Sequence, residues 1–285
     1  MLLNNKIEFQ AERDFGSRLN VAFDFIKRNF APLLGSILVV TVPLLALGGA
    51  LVLFFSRYLQ LETDSLVSNV LLGFAFFAFY IIIVFLPGAA VYSYIKLYQE
   101  RPEAVFSVGQ VLNELKKHWF SLLLTLLLSY LLIIMASLLL ILPGIYVAVP
   151  LVLVPYIVVI EETNVITAIS RAFYLVKNYW WETLGMIIIA NIISWLFMFA
   201  FQVPFVVVVG ILPFVMLDTM DWSIWGILTG LVYLIGTFIV QIIPLVIYAV
   251  HYHHLLEIKE SIGLMKRISS LGQQVSQAVD EEETY

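Results

Sequence analysis

Five stretches of the chain, residues 31–56, 67–95, 119–160, 183–217 and 222–250, contain no Asp, Glu, Lys, Arg or His. A bilayer's hydrocarbon core is ~30 Å thick and takes about 20 apolar residues of helix to cross, so each stretch is long enough to span it. The third is too long for one crossing. Leu142-Pro143-Gly144 cuts it with a helix stop and a tight turn, which predicts a hairpin of two helices and brings the total to six spans. The fourth is also over-long and holds Pro204 and Pro213; it predicts a span over 184–202 followed by a broken or re-entrant extension over 203–217. Composition agrees: the chain is 62% hydrophobic and 12% charged, where soluble domains run near ~45–50% and ~25%. The fold class expected is all-α, a polytopic transmembrane helical bundle.

Charge sets the orientation. With six spans, every lysine and arginine except Arg57 falls on the side of the N-terminus. That asymmetry predicts both termini in the cytoplasm. The opposite side keeps only short connections, 57–66, the Leu-Pro-Gly turn and 218–221. Residues 1–30 mix both charge signs and lack an apolar core followed by a cleavage site, so they do not read as a cleaved signal peptide. The net charge of -5 comes mostly from the acidic run at 280–283, which leaves no basis for nucleic-acid binding. The chain has no cysteine, hence no disulfide, thiolate nucleophile or cysteine metal site.

A threefold internal repeat is visible without gaps. Leu19, Phe23, Ile26, Lys27 and Phe30 match Val108, Leu112, Leu115, Lys116 and Trp119 at an offset of 89, and these match Ile169, Phe173, Val176, Lys177 and Trp180 at a further 61. The apolar positions recur at three and four residues, one face of a helix, and each set leads into a span. The predicted unit is an interfacial amphipathic helix plus two transmembrane helices, with repeats at about 12–98, 104–162 and 165–256 of a single membrane domain, 1–256. Ser107 with Gln110 forms a capping box opening the second unit. Prolines mark the second span of each: Pro87, then Pro150 and Pro155, then Pro244. Residues 257–285 read as a cytoplasmic amphipathic helix, striped by Ile258, Ile262, Met265, Ile268, Leu271 and Val275, and an acidic tail.

Lys27, Lys116 and Lys177, beside Phe30, Trp119, Trp180 and Trp181, stand where an ammonium meets lipid phosphate and a ring settles among headgroups. The alternative is simple topological anchoring. Glu161, Glu162 and Arg171 suggest a polar latch between the fourth span and the third amphipathic helix, or ordinary solvated charge at a membrane boundary. His251, His253 and His254 read as rings anchoring a helix end at the headgroups; His253 with Glu257 lacks the two further ligands a metal needs. No metal or other cofactor is expected. The spans hold no ionisable group, which argues against a proton-coupled or electrogenic carrier. No convergent nucleophile, base and orienter is present, which argues against an enzyme.

Taken together, Ile141-Leu-Pro-Gly-Ile145, Val159-Ile-Glu-Glu-Thr163, Ala168-Ile-Ser-Arg-Ala172 and Leu175-Val-Lys-Asn-Tyr-Trp-Trp-Glu182 resemble the membrane domain of bacterial glycerophosphoryl diester phosphodiesterases. Arg13-Asp-Phe-Gly-Ser-Arg-Leu-Asn20, Phe25-Ile-Lys-Arg-Asn-Phe30 and Glu257-Ile-Lys-Glu-Ser-Ile-Gly263 are similar to stand-alone versions from the Bacteroidota. The resemblance implies a multi-pass protein of the bacterial inner membrane. It does not imply phosphodiesterase chemistry, which in fused relatives belongs to a separate catalytic domain. Two roles fit: a non-catalytic scaffold or accessory subunit that organises membrane lipids or protein partners in the membrane or cytoplasm, and a lipid or amphiphile transporter with an apolar cavity between proline-kinked helices.

Overall fold

In a computed structural model the described residues are 7–58, 66–101, 106–212, 222–261 and 265. They form helices and no strand. In chain order these are α1 (Phe15–Tyr58), α2 (Leu66–Glu100), α3 (Val108–Leu139), α4 (Ile141–Leu151), α5 (Val154–Ile160), α6 (Val165–Val176), α7 (Trp180–Phe205) with a π-helical continuation Val206–Ile211, and α8 (Trp222–Glu260). Six helical segments are long and apolar enough to cross a membrane, α4 and α5 counting together as one. The connection at 59–65, residues 213–221, and most of the C-terminal stripe with its acidic tail lie outside the described residues.

The helices pack chiefly as three antiparallel pairs, α1 with α2, α3 with α4, and α7 with α8. In each pair the second helix lies deeper in the bundle than the first. Tyr92 of α2, Tyr156 of α5 and Tyr252 of α8 meet edge to face, with ring centroids 5.1 Å apart in both contacts, at the heart of the core. The outer helices turn large apolar side chains outward, among them Phe120, Leu127, Trp195 and Leu196. In lipid such faces are solvated as readily as they are buried. Helix association must therefore come from close packing and polar contacts rather than from the hydrophobic effect.

The amphipathic segments begin and end in related ways. Asp14 caps α1 by accepting the Ser17 backbone N–H at 3.2 Å, and Asn164 caps α6 by accepting that of Thr167 at 2.9 Å. These residues are 150 apart, the summed offset of the first and third sequence copies. At the other end of the same segments Asn29 (φ -116°, ψ 19°) kinks α1 and Tyr179 (φ -121°, ψ 24°) precedes α7, again 150 apart and nearly equal in backbone conformation. The middle copy differs: it opens on the expected capping box of Ser107 with Gln110 and runs unbroken into its span.

Two predicted breaks are corrected. The hairpin turn is not at Leu142-Pro143-Gly144 but at Leu140, whose extended backbone (φ -166°, ψ 155°) separates α3 from α4. Pro143 sits in the first turn of α4, where its missing N–H would have had no partner anyway. Residues 203–212 are not a re-entrant break: α7 passes through Pro204 and continues as π-helix to Ile211. Residues 257–260, expected to start a separate surface helix, are the last turn of α8.

Candidate functional site

One end of the bundle carries a layer of charged and polar side chains drawn from both ends of the chain and from every helical pair. Asn29, near the α1 kink, donates to the Phe25 carbonyl at 3.0 Å and accepts the Tyr94 hydroxyl at 2.8 Å, joining α1 to α2. Arg18, 2% exposed near the start of α1, reaches Glu182 at the start of α7 at 2.5 Å. It also donates to His251 Nδ1 of α8 at 2.8 Å. A guanidinium can only donate, so Nδ1 is the acceptor and the His251 proton is on Nε2. That Nε2 faces Thr183 Oγ1 at 3.0 Å, and the threonine hydroxyl in turn donates a hydrogen bond to the Tyr179 carbonyl at 2.9 Å. His254 follows the same logic. Its Nδ1 accepts the Arg13 backbone N–H at 3.1 Å, leaving Nε2–H to donate to Glu182 at 3.2 Å. Both rings are thus held as neutral imidazoles by fixed donors.

A second group centres on Lys96 at the end of α2, 3% exposed. Its ammonium donates to Glu114 of α3 at 2.5 Å and to Glu162, in the connection after α5. Lys117 and His118 lie on the same Glu114 carboxylate at 2.6 and 3.3 Å. Lys96 holds the Glu162 carboxyl below its ordinary range, first by the hydrogen bond and then by its charge. Ligand atoms of Glu114, His118 and Glu162 come within 4.8 Å of one another, a spacing that a metal ion can bridge. The Lys96 ammonium, with Lys117 beside it, already balances the two carboxylates of this cluster.

The third group ties α5, α6 and α8. Arg171 donates from Nε to Glu161 at 3.0 Å and from its two terminal nitrogens to both oxygens of Glu260, a bidentate pairing. Glu260 first, and Glu161 after it, raise the pKa of the guanidinium. The Tyr252 hydroxyl also donates to Glu161, at 2.5 Å. Between the groups, His253 Nε2 lies 2.8 Å from both the Tyr156 hydroxyl and Gln99 Nε2.

Of the residues singled out in sequence, Glu161 and Arg171 do meet, whereas Glu162 turns away from Arg171 to Lys96. Glu162 does so with a positive φ of 50°. Lys27, Lys116, Lys177, Trp119 and Trp181 are exposed. Trp180 is half-buried, stacked on Tyr146 at 5.6 Å with its indole N–H on the Tyr146 carbonyl. The three histidines of α8 are corrected: they are buried in the bundle rather than spread among headgroups, because Arg18, Thr183, Glu182 and Tyr156 meet their ring nitrogens there. Sequence reasoning passed over Arg18, Lys96, Glu114 and Glu260. One of them left a signal. At the repeat offsets Glu114 aligns with Phe25 and Leu175, both fully buried, so a carboxylate stands where the other copies carry core residues.

Further from this end the interior holds a pocket of about 260 Å³ between α2, α3, α5 and α8, lined by Phe85, Tyr92, Leu126, Pro155, Gln241 and Tyr248. A shallower groove between α7 and α8, about 540 Å³, runs past Asn191, Trp195, Thr237 and the same Gln241. No family model matches the chain, and neither the curated proteins nor the solved structures give a match.

Proposed function

We propose that the chain is a non-catalytic membrane scaffold that organises lipid or partner proteins at a bacterial inner membrane, with both termini cytoplasmic and three repeats of one amphipathic and two spanning helices. The observation that carries this reading is the polar layer. Charges from α1, α2, α3, α6, α7 and α8, buried at Arg18, Lys96 and Glu114 and half-buried elsewhere, are cross-tied at one level, which supports a fixed platform rather than a gate. The shared caps at Asp14 and Asn164 and the shared junctions at Asn29 and Tyr179 support the repeat. Exposed Lys27, Lys116 and Lys177 support a basic girdle for anionic headgroups, worth ~1 kcal/mol per charge near the surface. The motif resemblance supports the location. Extraction into nanodiscs with native lipid should recover partners or bound lipid in fixed stoichiometry, and a solitary, lipid-free monomer counts against the scaffold.

A second reading, movement of lipid or another amphiphile, draws support from Gln241 lining both the interior pocket and the α7–α8 groove. Labelled-lipid transfer in reconstituted vesicles separates the two. Rates equal to protein-free vesicles keep the scaffold, and faster rates replace it with transport.

A further inference from the structure

The α3–α4 hairpin differs from its neighbours in length and in its tip. Measured from the ring at each polar junction, α1 rises about 42 Å from Phe30 to Tyr58 and α7 with its π-helical end about 46 Å from Trp180 to Ile211, at ~1.5 Å per residue. From Trp119 to its end at Leu139, α3 rises about 30 Å, no more than the ~30 Å hydrocarbon core. The return path through α4 and α5 is no longer, and it is interrupted between Leu151 and Val154. The two long hairpins have reach to spare; this one does not.

Its tip is Leu138, Leu139, Leu140, Ile141 and Leu142, all 68 to 80% exposed. A turn that emerged into water would be expected to carry turn-forming polar residues, as the connections at 59–65 and 218–221 do with Glu62, Asp64, Asp218 and Asp221. The backbone here keeps its break short, which matters in an apolar medium, where each unpaired N–H or C=O is costly. The turn is a single residue. The Leu140 N–H donates to the Ala136 carbonyl, and the Leu140 carbonyl accepts from Gly144. Pro143 has no N–H to satisfy. Gly144 lets α4 close directly on α3: a Cβ there would lie 2.1 Å from Ser137 Oγ and 3.2 Å from Ser137 Cα.

We infer that the α3–α4 tip is a lipid-contact surface that ends among the acyl chains of the far leaflet, not a loop exposed on the far side. The inference rests on the six-span membrane reading proposed above. Its occupant is bilayer hydrocarbon, because the tip lies at the edge of the core and presents only aliphatic side chains. The far face is consequently uneven, with α1 and the α7 continuation reaching past the α3–α4 tip, which is recessed between lipid tails.

The chain contains no cysteine, so single-cysteine variants need no background removal. Thr63→Cys and Thr219→Cys report the connections of the two long hairpins, Lys116→Cys the opposite face, and Leu139→Cys and Leu140→Cys the tip. In sealed vesicles a membrane-impermeant maleimide should label Thr63→Cys and Thr219→Cys from the face opposite Lys116→Cys. Both tip variants should react at least tenfold more slowly than Thr63→Cys until detergent is added. A nitroxide at position 140 should be relaxed more strongly by oxygen than by a water-soluble nickel chelate. Tip labelling less than tenfold slower than Thr63→Cys, or stronger relaxation by nickel, overturns the inference alone. Labelling of Thr63→Cys and Lys116→Cys from the same face overturns the membrane reading beneath it.

Discussion

Lys96 shows what a buried charge does inside a bundle of apolar helices. Its ammonium and the Glu114 carboxylate are both nearly inaccessible, so each depends on the other for the solvation water would have given. Removing Lys96 leaves the buried Glu114 carboxylate with the exposed Lys117 as its remaining ammonium partner. Lys96→Met should therefore destabilise the protein by ~3 kcal/mol or more, and the double variant Lys96→Met with Glu114→Leu should recover much of the loss, because an apolar pair of similar volume suits the site. Thermal unfolding in mild detergent, followed by helical circular dichroism, checks both. Glu162 adds a pH dependence. Its carboxyl is held below the ordinary 4.5 by Lys96. The native state therefore binds fewer protons than the unfolded chain, and the stabilisation is complete above that ordinary value and lost as pH falls through the lowered one. The acid limb of the melting curve should flatten in Glu162→Gln, and an unchanged limb would remove Glu162 from the account. None of this pairing was visible along the sequence, where Lys96, Glu114 and Glu162 look like boundary charges. Partners so far apart in the chain become neighbours only when three helices converge.

At the scale of the helix, length and polarity were legible and local geometry was not. Charge-free runs located all six helical segments long and apolar enough to cross a membrane, because a span is a constraint on one continuous segment. Proline misled twice for the same reason. Proline removes one backbone bond and crowds the preceding turn, yet α7 carries on past Pro204 by widening into π-helix, and Pro143 merely opens α4. Close approach between helices was equally silent in sequence. A Cβ on Gly236 of α8 would lie 2.1 Å from Cγ of Phe201 on α7, whereas a Cβ on Gly49 of α1 would meet nothing within 4 Å. Gly236→Ala should cost about 1–3 kcal/mol through overpacking. Gly49→Ala should be neutral or slightly stabilising, since alanine is the better helix former by up to ~1 kcal/mol. Paired melts of the two variants test whether the α7–α8 seam is as tight as these distances require; equal melting temperatures would mean that it is not.

Across the whole molecule, the distinction between a platform and a gate turns on whether the polar end ever opens. Transport by alternating access needs two arrangements of the same helices, and at least one must separate groups that are joined in the other. Here the joined state links α6 to α8 through Arg171 and Glu260, α5 to α8 through Tyr252 and Glu161, and α1 to α7 through Arg18 and Glu182. The first two links share α8, and Arg18 also reaches α8 through His251, so opening would have to break them nearly together and expose buried Arg18 along with half-buried Arg171, Glu161, Glu182 and Glu260. The cost of that step favours one resting arrangement. A covalent tie across the same gap is the direct test: Arg171→Cys with Glu260→Cys, bridged by a short bismaleimide, fixes α6 to α8 whether or not the native ion pair is strong. Under the scaffold reading the bridged protein should retain the same lipid and partner stoichiometry as the unbridged double variant, and labelled-lipid transfer should stay at the protein-free rate in both. If the unbridged variant moves lipid and bridging stops it, the polar layer is a gate that opens during a cycle, and the pocket at Gln241 becomes the path it guards.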